Sequence, residues 1–211
     1  MTNTTVVGQS ILRPDAWEKV RGGKGFPVNV SLPGMLHGKL LRSPYAHARI
    51  VRIDASAAEA LPGVKAVLLP KDVPQIKFCP VFFVPTLAAS MIQDMLVMGE
   101  TVRYAGQPVA AVAATSWKIA EQALELIEVE YEELPAVFTA EAAMQEGAPR
   151  LHADAAGNIA KNPVFEFGDL EAGFAEADHI FEGTYTTQRV HTCYMEPRVC
   201  VVDSDADGRL T

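Results

Sequence analysis

The sequence predicts an α/β (α+β) protein built from strand–helix–strand units, and three observations carry that prediction. Gly106-Gln107-Pro108 is a turn former followed at once by the apolar run Val109–Ala113, the pattern of a strand covered on both faces. From Thr115 to about Leu126 the residues Ile119, Ala123 and Ile127 fall at helical spacing, with Lys118, Glu121 and Glu125 facing away. Ile127, Val129 and Tyr131 then alternate with Glu128, Glu130 and Glu132, which is a half-exposed strand.

The other elements follow in order. Residues 1–34 are rich in turn formers. Gly22-Gly23-Lys24-Gly25 could make a backbone nest for an anion, but it lacks the spacing and the closing Lys-Ser or Lys-Thr of a phosphate loop and reads as a plain loop. Pro33-Gly34 marks a turn. Met35–Leu41 reads as a strand broken by Ser43-Pro44, and Ala48–Ile53 as the next, with Arg49 and Arg52 outward. Asp54 is the expected N-cap of a short helix, Ala55–Leu61, which Pro62-Gly63 stops before the apolar strand Val64–Leu69. Residues 70–98 form a long irregular connection whose Phe78, Phe82, Phe83, Met91, Met95 and Met98 are too apolar for a free loop. This stretch is expected either as a core layer or as a contact with a partner.

Thr115 is the expected cap of the central helix. Gly147-Ala148-Pro149, Gly157-Asn158 and Asn162-Pro163 make 138–163 read as a linker, so the expected division is a domain over 1–140, a linker over 141–163 and a second, incomplete region over 164–211. Asp169 is the expected cap of a helix reaching about Glu176, and Ile180–Thr187 and Arg198–Asp203 are expected strands. Asp205-Ala206-Asp207-Gly208 is a hairpin turn signal. Only Arg209-Leu210-Thr211 follow, so the returning arm is expected to stay unpaired, which points to a fragment or to a sheet completed by a neighbour.

Composition bounds the function. The 211 residues are 49% hydrophobic and 21% charged, as in folded globular chains. Of the net charge of −8, residues 1–75 contribute +5 and the remainder −13. Such a split suits docking of a partner or an anionic ligand, or simply an unevenly solvated surface. Arg42, Arg49 and Arg52 are too sparse for a nucleic-acid face. Three cysteines and no apolar leader point to a reducing cytoplasm. The longest apolar stretch, Phe78–Met98, is interrupted by Pro80, Pro85, Gln93 and Asp94 and does not read as a membrane span.

Local chemistry assigns no reaction. Asp203–Gly208 matches the first half of a calcium loop but has no glutamate at the twelfth position. His191, Cys193 and Cys200 do not give a two-plus-two zinc spacing, and three thiols alone do not suffice for an iron–sulfur cluster. Glu196, amid apolar residues, reads as a structural ion pair or hydrogen-bond hub with His191 or Arg198.

Five motifs in series resemble the molybdenum-binding large subunit of the xanthine dehydrogenase and aldehyde oxidase family. They are Gly8-Gln9-Ser10 with Arg13, Asp15 and Gly22; Leu32-Pro33-Gly34-Met35-Leu36 with Leu41-Arg42-Ser43-Pro44 and Ala46-His47-Ala48; Leu61-Pro62-Gly63-Val64; Val102-Arg103-Tyr104 with Gly106-Gln107-Pro108-Val109-Ala110; and Ala120 with Val129-Glu130-Tyr131-Glu132-Glu133-Leu134-Pro135. Lys24-Gly25-Phe26-Pro27 and the stretch Cys79–Met98 depart from the family's pattern. The resemblance implies an α/β hammerhead domain followed by the start of a molybdopterin-binding domain, with His191 and Glu196 in a His-x-x-x-x-Glu-Pro-type stretch.

It also implies a molybdenum hydroxylase, which hydroxylates an aldehyde, N-heterocycle or related substrate with water as oxygen donor. Molybdopterin, in its cytosine dinucleotide form, would serve the complete enzyme, with iron–sulfur clusters and FAD on partner domains or subunits. The family's base glutamate and pterin-binding segments lie beyond Thr211, so no catalytic or metal role is carried onto any residue here, Glu196 included, and cofactor-binding residues are left unassigned. The isolated chain is then expected to be inactive and to bind none of these cofactors alone, and to need the remaining molybdopterin-binding part. The apolar stretch Phe78–Met98 is the expected partner or domain contact. The second reading is a non-catalytic hammerhead-type module that docks partner subunits.

Overall fold

The computed structural model describes residues 7–23, 26–79, 93–162 and 164–211. The chain forms two compact units, residues 34–170 and residues 1–33 with 171–211.

In the larger unit two three-stranded sheets carry the fold. One has the order β1 (His37–Arg42), β5 (Pro108–Ala114), β3 (Val64–Leu68), and the other β4 (Thr101–Val102), β2 (Ala48–Asp54), β6 (Glu128–Glu133). All pairings are antiparallel. Both expected strand–helix–strand units are present, and each runs between the two sheets. β2, helix α2 (Ser56–Glu59) and β3 start in the second sheet and end in the first, whereas β5, helix α3 (Trp117–Glu125) and β6 run the opposite way. No strand pairs with the next one across its helix, so each unit joins two sheets rather than extending one.

The central strand β5 earns its place through small side chains. Its register shifts opposite Leu41 and Arg42, so Val109 and Ala110 are both fully buried. Ala110 and Val112 meet Ala123 and Ile127 and, behind them, Ala58 and Leu69 in one core cluster. Ala120 and Ala123 have no exposed surface, which lets α3 lie close on the sheet. Val109 joins Ala48 and Val102 in a second cluster, edged by Tyr45 and Tyr131. The expected cover on both faces of β5 is only half present, because Ala111 and Ala113 remain half-exposed.

Two caps are shifted by one residue. Ser116, not Thr115, is the N-cap of α3: its hydroxyl accepts the Ile119 N–H at 3.2 Å, while the Thr115 N–H is donated to the Gly63 carbonyl. α2 is shorter than expected and has Ala55 at its N-cap. Asp54, just before it, still serves the turn by accepting from the N–H and hydroxyl of Ser56, which holds its carboxyl below the usual range.

The stretch 138–163 holds structure of its own. Helix α4 (Ala140–Ala143) is capped by Thr139. Asn158, at a φ of +57°, accepts from Leu151 N–H and donates to the carbonyls of Ala143 and Pro149. Within the connection 70–98, Phe78 and Met95 form an antiparallel bridge. Phe82, Phe83 and Met91 lie outside the described residues.

In the smaller unit helix α1 (Ala16–Val20) ends at Gly22, φ +68°, whose N–H is donated to Lys19 while that of Gly23 is donated to Glu18. These two donors close the helix, so at these glycines the loop is a helix stop rather than an anion nest. Helix α5 (Leu170–Glu176) follows Asp169 as expected. Among the described residues the expected strands Ile180–Thr187 and Arg198–Asp203 are absent. A strand needs a neighbour for its backbone groups. Here Phe181, Tyr185 and Met195 are more than nine-tenths exposed, and among the described residues no pairing reaches 180–203 except Asp203 with Thr211. That last pair corrects the expectation of an unpaired arm: Asp203 and Thr211 exchange two hydrogen bonds of 2.9 Å around the Asp205–Gly208 turn.

Candidate functional site

The sequence motifs meet in space, and they meet as joints. Arg103 N–H is donated to the Gln107 side-chain oxygen at 2.8 Å, and the Gln107 amide donates to the Thr101 carbonyl. Gly106, at φ +90°, and Gln107 exchange backbone hydrogen bonds with the buried Ser43, and Arg42 Nη1 donates to the Gly106 carbonyl. The Arg-Ser-Pro turn is thus bolted to the Gly-Gln-Pro turn. The same device recurs beside the start of β2, where it meets the end of β6. His47 Nδ1 lies 2.6 Å from the Pro135 carbonyl, which can only accept, so this nitrogen carries the proton. Leu134 N–H is donated back to the His47 carbonyl.

Beside the first joint lies a cleft of about 540 Å³. Its apolar wall includes Phe78, Met95, Leu96 and Pro108, and its polar end is Arg103, Gln107, Asp94 and His152. Arg103 is held from both sides, with Nε donating to the Leu151 carbonyl at 2.6 Å and Nη1 to Thr101. Burial lowers its pKa, against the pull of Asp94. His152 Nε2 sits 3.5 Å from Asp94 Oδ2. Burial, and then the Arg103 charge, push the His152 pKa down, which favours the neutral ring. Lys77 and Asp154 form an exposed pair. Together these contacts clasp residues 151–158 onto the segment 77–107.

The residues singled out around 191–200 do not converge. Glu196 is exposed and pairs with neither His191 nor Arg198, which corrects its reading as a hub. Both candidate partners turn to Tyr194 instead: the His191 ring lies 5.8 Å from its centroid and the Arg198 guanidinium 5.1 Å. His191 Nδ1 accepts the Cys193 N–H at 3.0 Å, with Cys193 at φ +47°. Among the described residues no three His, Cys, Asp or Glu side chains come together as a metal site. Asp205 uses its carboxylate to accept from the N–H groups of Asp207 and Arg209 inside the turn. Neither this turn nor the His191 stretch offers molybdopterin an assembled site. Sequence reasoning passed over Arg103, His152 and Asn158 as a group. Arg103 stands in the fourth motif and Gly157-Asn158 carried a turn signal, but the Arg103 contact with Leu151 spans 48 residues and had no local signal.

Comparison with known proteins bears directly on these joints. Residues 25–135 match the family model for the aldehyde oxidase and xanthine dehydrogenase a/b hammerhead domain, and residues 151–211 match the molybdopterin cofactor-binding domain. The chain is 43% identical over 96% of its length to a probable xanthine dehydrogenase subunit of Bacillus subtilis, and 35% identical over 98% to the nicotinate dehydrogenase large molybdopterin subunit of Eubacterium barkeri. It spans 26% and 46% of those relatives. Among solved structures, the aldehyde oxidoreductase of Desulfovibrio gigas superimposes with a TM-score of 0.65 at 31% identity, over 79% of this chain and 19% of that one. The two turns bolted at Ser43 and the His47–Pro135 joint lie inside the hammerhead match, and the clasped segment opens the cofactor-binding match: this chain belongs to the aldehyde oxidase and xanthine dehydrogenase family.

Proposed function

We propose that the chain serves as part of the large subunit of a molybdenum hydroxylase, an oxidoreductase that hydroxylates an aldehyde, an N-heterocycle or a related substrate with oxygen from water. The observation that carries the reading is the tandem order of the two family matches, hammerhead over 25–135 and cofactor-binding over 151–211. The identity to such subunits along almost the whole chain supports it. It favours this reading over a module without a cofactor.

In this proposal the residues described here build a supporting lobe over 1–140, a connector over 141–163 and the opening of the cofactor-binding domain over 164–211. The molybdopterin, in its cytosine dinucleotide form, supplies a hydroxylating centre when bound. This chain's own residues hold the lobe rigid and fix where the connector leaves it. Iron–sulfur and FAD subunits are the partners, with Phe78–Met98 as one contact, and the cytoplasm is the location. Among the described residues no helix is long and apolar enough to cross a membrane.

The test is to produce this chain alone and, separately, within a longer polypeptide that contains it, and to measure molybdenum, pterin and dye-linked oxidation of aldehydes and N-heterocycles. Molybdenum and turnover are expected only in the longer protein. Turnover by the 211-residue chain alone, or a longer protein free of molybdenum and pterin, would count against the reading.

A further inference from the structure

The cleft beside the first joint lies wholly within the larger unit and has the lining of a small-molecule site. Its volume of about 540 Å³ falls in the range of about 300–1,000 Å³ that such sites occupy. Phe78, Met95, Leu96 and Pro108 give it apolar walls. Phe78 and Met95 are paired through their backbones, so a phenyl ring and a thioether stand in the same wall. Both favour a flat aromatic occupant.

The polar end decides what the edge of that ring must carry. Gln107 has both ends occupied, since its oxygen accepts the Arg103 N–H and its nitrogen donates to the Thr101 carbonyl. Arg103 commits Nε to Leu151 and Nη1 to Thr101, and among the described residues nothing accepts from Nη2. Asp94 attracts Arg103, but among the described residues its carboxylate meets only His152 Nε2, at 3.5 Å. No buried side-chain nitrogen or oxygen among the described residues lacks a partner, so the open edges of Arg103 and Asp94 are reached by solvent.

A charged ligand suits this end poorly. A carboxylate drawn to Arg103 meets Asp94, and an ammonium group drawn to Asp94 meets Arg103. A neutral edge with C=O beside N–H serves both: the carbonyl accepts from Arg103 Nη2, and the N–H is donated to the Asp94 carboxylate. Neither charge is then left facing an apolar surface. We propose that the cleft is a binding site for a neutral aromatic lactam or amide, held at its polar edge by Arg103 and Asp94 and across its ring by the apolar walls. This site goes beyond the large-subunit reading and does not depend on it.

Isothermal titration with isoquinolin-1(2H)-one tests it, on the 211-residue chain and on a longer polypeptide that contains it. Two comparison ligands are titrated beside it: the N-methyl derivative, which has lost the donor, and 2-naphthoate, which carries a negative charge. Met95→Trp fills the cleft, and only binding that it removes is counted. The lactam is expected to bind one to one, and about tenfold more tightly than either comparison ligand. Asp94→Leu should weaken it by about tenfold, whereas Asp94→Asn, which keeps an acceptor oxygen, should stay within about threefold. The ligand series is read on the unsubstituted protein, so it decides even where a variant fails to fold. Equal affinity for the lactam and its N-methyl derivative overturns the proposal, as does tighter binding of 2-naphthoate, or an affinity that folded Asp94→Leu and Met95→Trp leave unmoved. Absence of binding in either protein, or its loss when iron–sulfur or FAD subunits are added, overturns it too.

Discussion

At Gly63 the backbone turns with a φ of +98°, and a Cβ there would lie 2.7 Å from Ile119 Cδ1 and 2.9 Å from Thr115 Oγ1. Both neighbours belong to the segment that caps and begins α3. Gly63→Ala is expected to cost about 1–2 kcal/mol for the left-handed conformation alone, and more for the crowding. Gly106, at φ +90° with open space around it, supplies the comparison: Gly106→Ala should cost the conformational share only. Urea unfolding of both variants measures the difference, and equal losses would remove the crowding argument. The sequence marked both glycines as turn formers. It did not mark what they touch, because the Thr115 and Ile119 contacts arise more than fifty residues away. His47 is a sharper case. Nothing near it in sequence foretells a partner at Pro135, since the bond exists only once β2 and β6 have paired.

Elements were legible where their pattern is local. The alternation over Glu128–Glu133 and the spacing over Trp117–Glu125 fall where periodicity puts them. Their caps were less so, because Thr115 and Ser116 are both capping residues and only the Gly63 carbonyl, by taking the Thr115 N–H, decides between them. Ser116→Ala is expected to destabilise the larger unit by about 1 kcal/mol, seen as a lower denaturation midpoint with an unchanged slope. Thr115→Ala, which leaves that cap in place, should show no such cap loss. Sheet membership was illegible for a physical reason: a strand's own alternation says which side faces the core but not which strand it pairs with. The strands expected within 180–203 failed for the same cause, since they have the composition of strands but no neighbour among the described residues.

For the molecule as a whole, stability should depend on pH through His152. Its folded pKa lies below the ordinary value of 6.5, chiefly because burial disfavours the charged ring. The unfolded chain therefore takes up its proton first as pH falls. Stability is fully present above about pH 6.5 and declines from there toward the lower folded pKa. A thermal midpoint followed from about pH 8 to about pH 5 should drop over that range, and His152→Gln should flatten the drop; an identical profile in the variant would exclude this origin. The clasp that makes His152 matter was invisible in the sequence. Residues 138–163 have a linker's composition, and side chains such as Arg103, Asn158 and Lys77 give them a fixed path.

The crossing of both strand–helix–strand units between the two sheets bears on how the chain is born. Leu41 waits for Ala110, and Ile53 for Val129. At synthesis rates of about 5–20 residues per second, the first strand stays without its partner for roughly 3–14 seconds after leaving the ribosome. Neither half can settle early, because each sheet draws strands from both ends of the lobe. The nascent polypeptide thus carries bare apolar strands until residue 133 has emerged, a natural window for chaperones to hold it and for premature truncation to send it to proteases.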